Sequence, residues 1–225
     1  MDSTDEAMAC IDEEIFNFAY ELALRDAVNQ TAFNGIGKGS KTRLRGCVAA
    51  KHKVKNYICQ IFAGNDPDFY DFAKPVEEAF ACYNTEPEHG VFTFGNTQKL
   101  INMTAKYMFM ATYNRPELRD NFKCCHCPMD DIMVDHAISK IGNKDGNITF
   151  DEINAALDEI NDDAIEMRPG QKGWKGYLRT SWSTLELTDK DGFPGQYVMF
   201  QKIISILADK EKLSPIAYDF FVWGK

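Results

Sequence analysis

No apolar run in the sequence approaches the roughly 18–20 residues that a membrane-spanning helix requires. No stretch alternates apolar and polar residues cleanly over many positions, so little strand is expected. Internal repeats and low-complexity linkers are also missing. The opening residues, Met1-Asp2-Ser3-Thr4-Asp5-Glu6, are acidic and lack the basic and apolar regions of a secretory signal. A cytoplasmic, non-membrane protein is the expectation. Asp and Glu are wholly absent from residues 27–65, which instead carry Lys38, Lys41, Arg43, Arg45, Lys51, Lys53 and Lys55. Residues 1–26 are the reverse, with eight acidic side chains against Arg25 alone. The formal net charge of -9 argues against indiscriminate polyanion binding. The local basic stretch can still hold phosphate while the rest of the surface repels it.

What is present reads as globular. Hydrophobic residues make up 44% of the 225 and charged residues 26%, enough for one large domain or two small ones. The seven cysteines are odd in number and scattered over a chain too large to need staples, so reduced thiols are expected. Apolar spacing predicts helices over 10–30, from Ser40 to Phe62, after Asp66-Pro67-Asp68 with Pro75 splitting the segment in two, and over 94–113. Further helices are predicted over 129–141, 149–163 and 195–212, with a short one from Ser214-Pro215. The fold expected is all-α and bilobal. One lobe spans 1–92 with its basic loop, extended by the C-terminal helix, and the other spans 93–225.

Phe94-Gly95-Asn96-Thr97-Gln98-Lys99 places a lysine in the first turn of the strongest helical segment. Free N–H groups and the positive dipole end there disfavour an ammonium ion, which makes Lys99 a candidate amine nucleophile. Asn102 and Lys106 fall on the same side as Lys99. Leu100, Ile101, Thr104, Ala105 and Met108 are expected to face the core. Asp130 follows 31 residues after Lys99, within Cys124-Cys125-His126-Cys127-Pro128-Met129-Asp130-Asp131. Pro128 pins the backbone and puts Asp130 at or near a helix N-terminus, where a carboxylate is favoured. A helix cap alone explains Asp130, and a snorkelling surface lysine alone explains Lys99. Taken together they are a candidate catalytic pair.

A lysine in a helix after a glycine-containing turn, followed by Pro-x-Asp at the next helix start, resembles the helix–hairpin–helix DNA glycosylase superfamily. The likeness is to the archaeal 8-oxoguanine DNA glycosylases. It is carried by Gln98-Lys99-Leu100-Ile101-Asn102-Met103-Thr104-Ala105-Lys106-Tyr107 and by Cys127-Pro128-Met129-Asp130, and covers about a fifth of the chain. The resemblance implies a glycosylase-like helical fold and a DNA-repair glycosylase/lyase acting on a damaged or modified base flipped from the duplex. Lys99 would attack C1′ to form a Schiff base, and Asp130 would deprotonate the lysine or stabilise the oxocarbenium charge. Gly95, Gln98, Asn102 and His126 would line the substrate, with no metal or cofactor. Of the family's Leu-Pro-Gly-x-Gly hairpin only Gly95 stands here, and the iron–sulfur spacing of some members is absent. Phe94-Gly95-x-x-Gln98-Lys99 and His126-Cys127-Pro128-x-Asp130 also resemble a widespread bacterial family of uncharacterised proteins. The alternative reading is a non-catalytic helical binder of nucleic acid or nucleotide.

Other constellations have bland counterparts. Cys124, Cys125, His126 and Cys127 cannot all reach one tetrahedral centre. A zinc site would need Cys47, Cys59, Cys82 or His89 as well, and buried free thiols explain the cluster more simply. Asn143, Asp145, Asn147 and Glu152 occupy positions three, five, seven and twelve of an EF-hand-like loop, with Gly146 at the turn. Position one is Ile141, which cannot ligate calcium. Gly35-Ile36-Gly37-Lys38-Gly39-Ser40-Lys41-Thr42 lacks the spacing of a nucleotide-binding P-loop and reads as a basic loop that touches phosphates. A second patch, Arg168, Lys172, Lys175 and Arg179 interleaved with Trp174, Tyr177 and Trp182, suits single-stranded or flipped bases. It suits equally a loop anchored in the core by tryptophan.

Overall fold

A computed structural model describes residues 12–28, 47–81, 92–142, 148–158, 178–187 and 195–224. Among them the fold is all-helical. The helices are α1 (Glu13–Val28), α2 (Val48–Phe62), α3 (Phe69–Phe80), α4 (Phe94–Ala111), α5 (Pro116–Arg119), α6 (Asp131–Ser139), α7 (Phe150–Asp158), α8 (Gln196–Lys210) and α9 (Pro215–Trp223). Short 3-10 turns cover Asp120–Cys124 and Trp182–Thr184. The β-structure present is one isolated bridge between Ile141 and Ile148. No helix among the described residues is long and apolar enough to cross a membrane. Lys38, Lys41, Arg43 and Arg45 of the basic loop lie outside the described residues, as do the predicted Ser40 cap and Lys172, Trp174 and Lys175.

Contact density divides the chain into two compact units, Met1–Pro128 and Met129–Lys225. The 92/93 division read from sequence differs from this over residues 93–128, because α4 packs along α1. In the first unit α1 turns Phe16, Ala19, Tyr20, Ala23, Leu24 and Ala27 inward at helical spacing, all 2% exposed or less. Each large side chain buried in this way contributes about 1.5–3 kcal/mol. An ion pair between Lys55 and Glu13 ties α2 to α1 at the surface. Helix α2 ends in a Schellman turn. Gly64, at φ +77°, takes the left-handed position, its N–H donating to Ile61 and that of Asn65 to Gln60.

Pro75 does not split α3, contrary to the sequence reading. Asp68 caps the helix by accepting from Tyr70 N at 2.8 Å, and Pro75 sits inside one continuous helix. An interior proline costs about 3 kcal/mol. Burial of Phe69, Ala73, Val76 and Phe80 on one face offsets it, with Phe80 stacked on Phe92 at 4.0 Å.

In the second unit α8 is central, burying Tyr197, Phe200, Ile203, Ile204, Leu207 and Ala208, with α6, α7 and α9 packed on it. The terminal helix α9 also packs on α6, and so belongs here rather than to the N-terminal lobe. His136 Nε2 and Tyr218 Oη join α6 to α9 at 2.9 Å. The 178–187 segment is stitched to the start of α8 by Gly195 N to Leu187 O and Tyr197 N to Glu186 O. Any Cβ at Gly195 would collide with the Glu186 carbonyl, so this close approach needs glycine. Trp182 is 2% exposed and fills the core, whereas Arg179 is exposed. Of the two readings of the aromatic patch, Trp182 takes the anchoring one.

Candidate functional site: the polar start of α4 and the Cys124–Pro128 turn

Helix α4 begins one turn earlier than the lysine argument requires. Thr93 is the N-cap and Asn96 the third helical residue, and the two form a reciprocal capping box. Asn96 N donates to Thr93 Oγ1 at 3.2 Å, and Thr93 N to Asn96 Oδ1 at 2.9 Å. Asn96 Nδ2 reaches back to the Ala27 carbonyl at 2.6 Å, satisfying an acceptor at the end of α1. Counting from Phe94, Lys99 is the sixth residue of α4, beyond the first turn. The field of the free N–H groups falls off within that turn, so it does not supply the activation expected from sequence.

From Phe94 to Ala105 every residue except Lys99 is buried. Asn102, which helical spacing puts on the Lys99 side and opposite the residues expected to face the core, is buried all the same. Gln98 and Asn102 are both 0% exposed. The reason is hydrogen bonding: Asn102 Nδ2 donates to Gln98 Oε1 at 3.3 Å and to the Cys127 carbonyl at 3.5 Å. Thr97 and Thr104 are equally buried and return their hydroxyls to the carbonyls of Thr93 and Leu100. Gly95 is buried with them. Lys99 alone on this wall is half-buried, and Lys106 is half-buried two turns further on.

The segment facing Asn102 is held from several sides. The His126 ring lies 4.6 Å from Phe69 and 5.8 Å from Tyr70, centroid to centroid. Burial first, and then the Asp68 carboxylate, push the Tyr70 hydroxyl up to about 12. Cys127 is 0% exposed and its thiol rests on the Pro128 carbonyl at 3.7 Å. Asp130 is the N-cap of α6, Oδ1 accepting from Met133 N at 3.0 Å. Lys99 lies in the first unit and Asp130 in the second. Within the first unit, then, the structure brings Gln98, Asn102 and the Cys127 carbonyl together, and seats His126 on the α3 aromatics.

The cysteine cluster has its own wiring. Cys125 is hydrogen-bonded to Tyr57 and to Cys124, Cys124 also to the Asp66 side chain, and the Cys124 thiol donates to the Asn121 carbonyl at 3.3 Å. Nothing in the sequence marks Tyr57 as a partner, because only folding brings α2 beside the 3-10 turn, whereas Asn121 is a local partner three residues before Cys124. Among the described residues no three His, Cys, Asp or Glu side chains converge as a metal site would need. In the EF-hand-like loop, positions three, five and seven lie outside the described residues. The position-twelve carboxylate, Glu152, accepts from Thr149 N at 2.7 Å and pairs with Lys210 at 2.9 Å.

Fold and site together define an all-helical protein with a buried amide network at the start of one long helix. Comparison with protein-family models, with curated proteins and with solved structures finds no match to this chain.

Proposed function

We propose that this chain binds nucleic acid, with the Lys99 side of α4 as its working face. The observation that carries this reading is the place of Lys99 in α4. It is the one ionisable residue between Phe94 and Ala105, and the one residue there that is not buried. An ammonium at the edge of a desolvated wall is a point charge that suits a phosphate oxygen. The basic stretch 38–55 supplies further cations in the same unit. Fluorescence anisotropy with labelled single-stranded and duplex DNA over a salt series tests this. Lys99→Gln is expected to weaken binding and to lower the log–log salt slope by about 0.7–0.9, one phosphate's worth. No binding of either DNA at low salt overturns the reading.

A second reading is lysine-dependent glycosylase/lyase chemistry with a helix–hairpin–helix glycosylase-like fold. It is favoured by one local feature: the carboxylate after Pro128 is held at a helix N-cap, as the resemblance implies for Pro-x-Asp. In this chemistry Lys99 Nζ bonds to C1′ while the C1′–base bond breaks and the base leaves with a proton. Ring opening then yields a Schiff base as a lysine proton passes to the ring oxygen. Borohydride should trap a protein–DNA adduct on damaged duplex for wild type and Lys106→Gln but not for Lys99→Gln. A panel of damaged bases with no adduct sinks this reading and leaves the binding reading standing.

A further inference from the structure

Cys124 and Cys125 are adjacent where a 3-10 turn ends and extended chain begins, Cys125 having φ -70° and ψ 138°. The two thiols meet there, the Cys125 S–H donating to the Cys124 sulfur. Tyr57 from α2 is hydrogen-bonded to Cys125, and Cys124 bonds onward to the Asn121 carbonyl and to the Asp66 carboxylate. The arrangement is open at one end only: Cys124 is half-buried and Cys125 is 0% exposed. A reagent arriving from solvent therefore meets Cys124 first, with a second sulfur in contact behind it. The bond from Cys125 holds the Cys124 thiol below its usual range although half-burial and the Asp66 carboxylate beside it oppose this, and burial pushes Cys125 well above. Cys124 is thus the entering nucleophile, and Cys125 releases its proton only as it bonds.

We propose that Cys124 and Cys125 form a dithiol site for thiophilic trivalent electrophiles of the organoarsenical class. An arsenoxide, R–As=O, reacts with the two thiols to give R–As(S–Cys)2 and one water. Two As–S bonds form, the bond to oxygen breaks, and both thiol protons leave in the water. Arsenic stays trivalent, so no oxidant or reductant is needed. Two ligands suffice here, whereas structural zinc requires four, and among the described residues no three His, Cys, Asp or Glu side chains converge as a metal site would need. Of the other described cysteines, Cys47, Cys59 and Cys127 are buried, and the thiols of Cys47 and Cys127 are bonded to the Ala79 and Pro128 carbonyls.

The test uses the folded 225-residue chain in a Cys10→Ser/Cys82→Ser background, phenylarsine oxide as probe, and intact-mass spectrometry. One adduct per chain is expected, formed with loss of water and reversed by excess dithiol but not by excess monothiol. Cys124→Ser should abolish it. Cys125→Ala should weaken it by about a hundredfold or more, because the second bond is no longer intramolecular. If circular dichroism finds Cys125→Ala unfolded, peptide mapping of the parent adduct decides, with both sulfurs expected on the one peptide holding Cys124 and Cys125. Absence of an adduct, its persistence in Cys124→Ser, undiminished affinity in folded Cys125→Ala, or arsenic bridged to another cysteine overturns the proposal.

Discussion

The side-chain amide of Asn102 donates to the main-chain carbonyl of Cys127 at 3.5 Å and to Gln98 Oε1 at 3.3 Å, with all three residues buried. A long helix and an irregular turn are thereby tied together inside the first unit by one side chain. Asn102→Leu, which keeps the branching and number of side-chain heavy atoms, removes both bonds and buries apolar atoms against polar ones. The expected cost is about 1–3 kcal/mol, read as a lower urea midpoint at unchanged slope. Alkylation of Cys127 under native conditions should accelerate in the same variant. A midpoint equal to wild type means the amide contributes nothing net.

Tyr70 gives the first unit an alkaline signature. Its hydroxyl ionises near 10.0 when unfolded and at about 12 when folded, because burial and then Asp68 oppose the phenolate. The folded pKa is raised, so the folded chain holds a proton that the unfolded chain releases in this window. The stability from Tyr70 is therefore complete below the unfolded value and is lost as pH rises through the folded one. Tyr70→Phe has no such proton. Urea midpoints of the two proteins should converge or cross as pH climbs through that interval, and parallel profiles refute the assignment. Tyrosinate absorbance should also show one late-titrating residue that Tyr70→Phe lacks.

Much of the helix order could be read from the chain, since apolar spacing reports burial and burial dominates. The start of α4 at Phe94 was visible, and Thr93 and Asn96 cap it. The α6 cap at Asp130 and the proline start of α9 were equally legible, each being a rule about three or four neighbouring residues. What escaped was set by distant partners. Pro75 signals a break locally, but the apolar face of α3 outweighs it. Asn102 looks like a solvent residue until Cys127, 25 positions away, supplies an acceptor. The same holds for Tyr57 and Cys125, which no local rule connects.

Asn96 has two jobs that substitution can separate. Its Oδ1 completes the capping box with Thr93, and its Nδ2 binds the Ala27 carbonyl. Asn96→Asp keeps the acceptor but replaces the donor with a buried carboxylate facing a carbonyl. Thr93→Ala removes only the cap and is expected to cost about 1 kcal/mol. Asn96→Asp should cost more at neutral pH and recover part of the loss in acid, where a protonated carboxyl can donate to Ala27. Equal costs for the two variants, or a loss that does not vary with pH, would show that the α1 contact is inert.

Glu152 ties the start of α7 to α8 through Thr149 and Lys210. The Thr149 backbone bond first, and then Lys210, hold its carboxyl below the usual 4.5. With the folded value depressed, the contribution is present above the unfolded value and is lost as pH falls through the folded one. Glutamine preserves the capping geometry, so Glu152→Gln isolates the charge, whereas Glu152→Ala removes the cap as well. Both carboxylate and ammonium are more than a third exposed, which limits the charge contribution to about 0–1 kcal/mol. Glu152→Ala should add about 1 kcal/mol to that loss at neutral pH. The gap between wild type and Glu152→Gln should close on acidification below 4.5 and shrink with added salt, while the further penalty of Glu152→Ala persists. A Glu152→Gln gap that stays constant across that range would mean that the carboxylate acts through geometry alone, and that Lys210 adds nothing to the joint between α7 and α8.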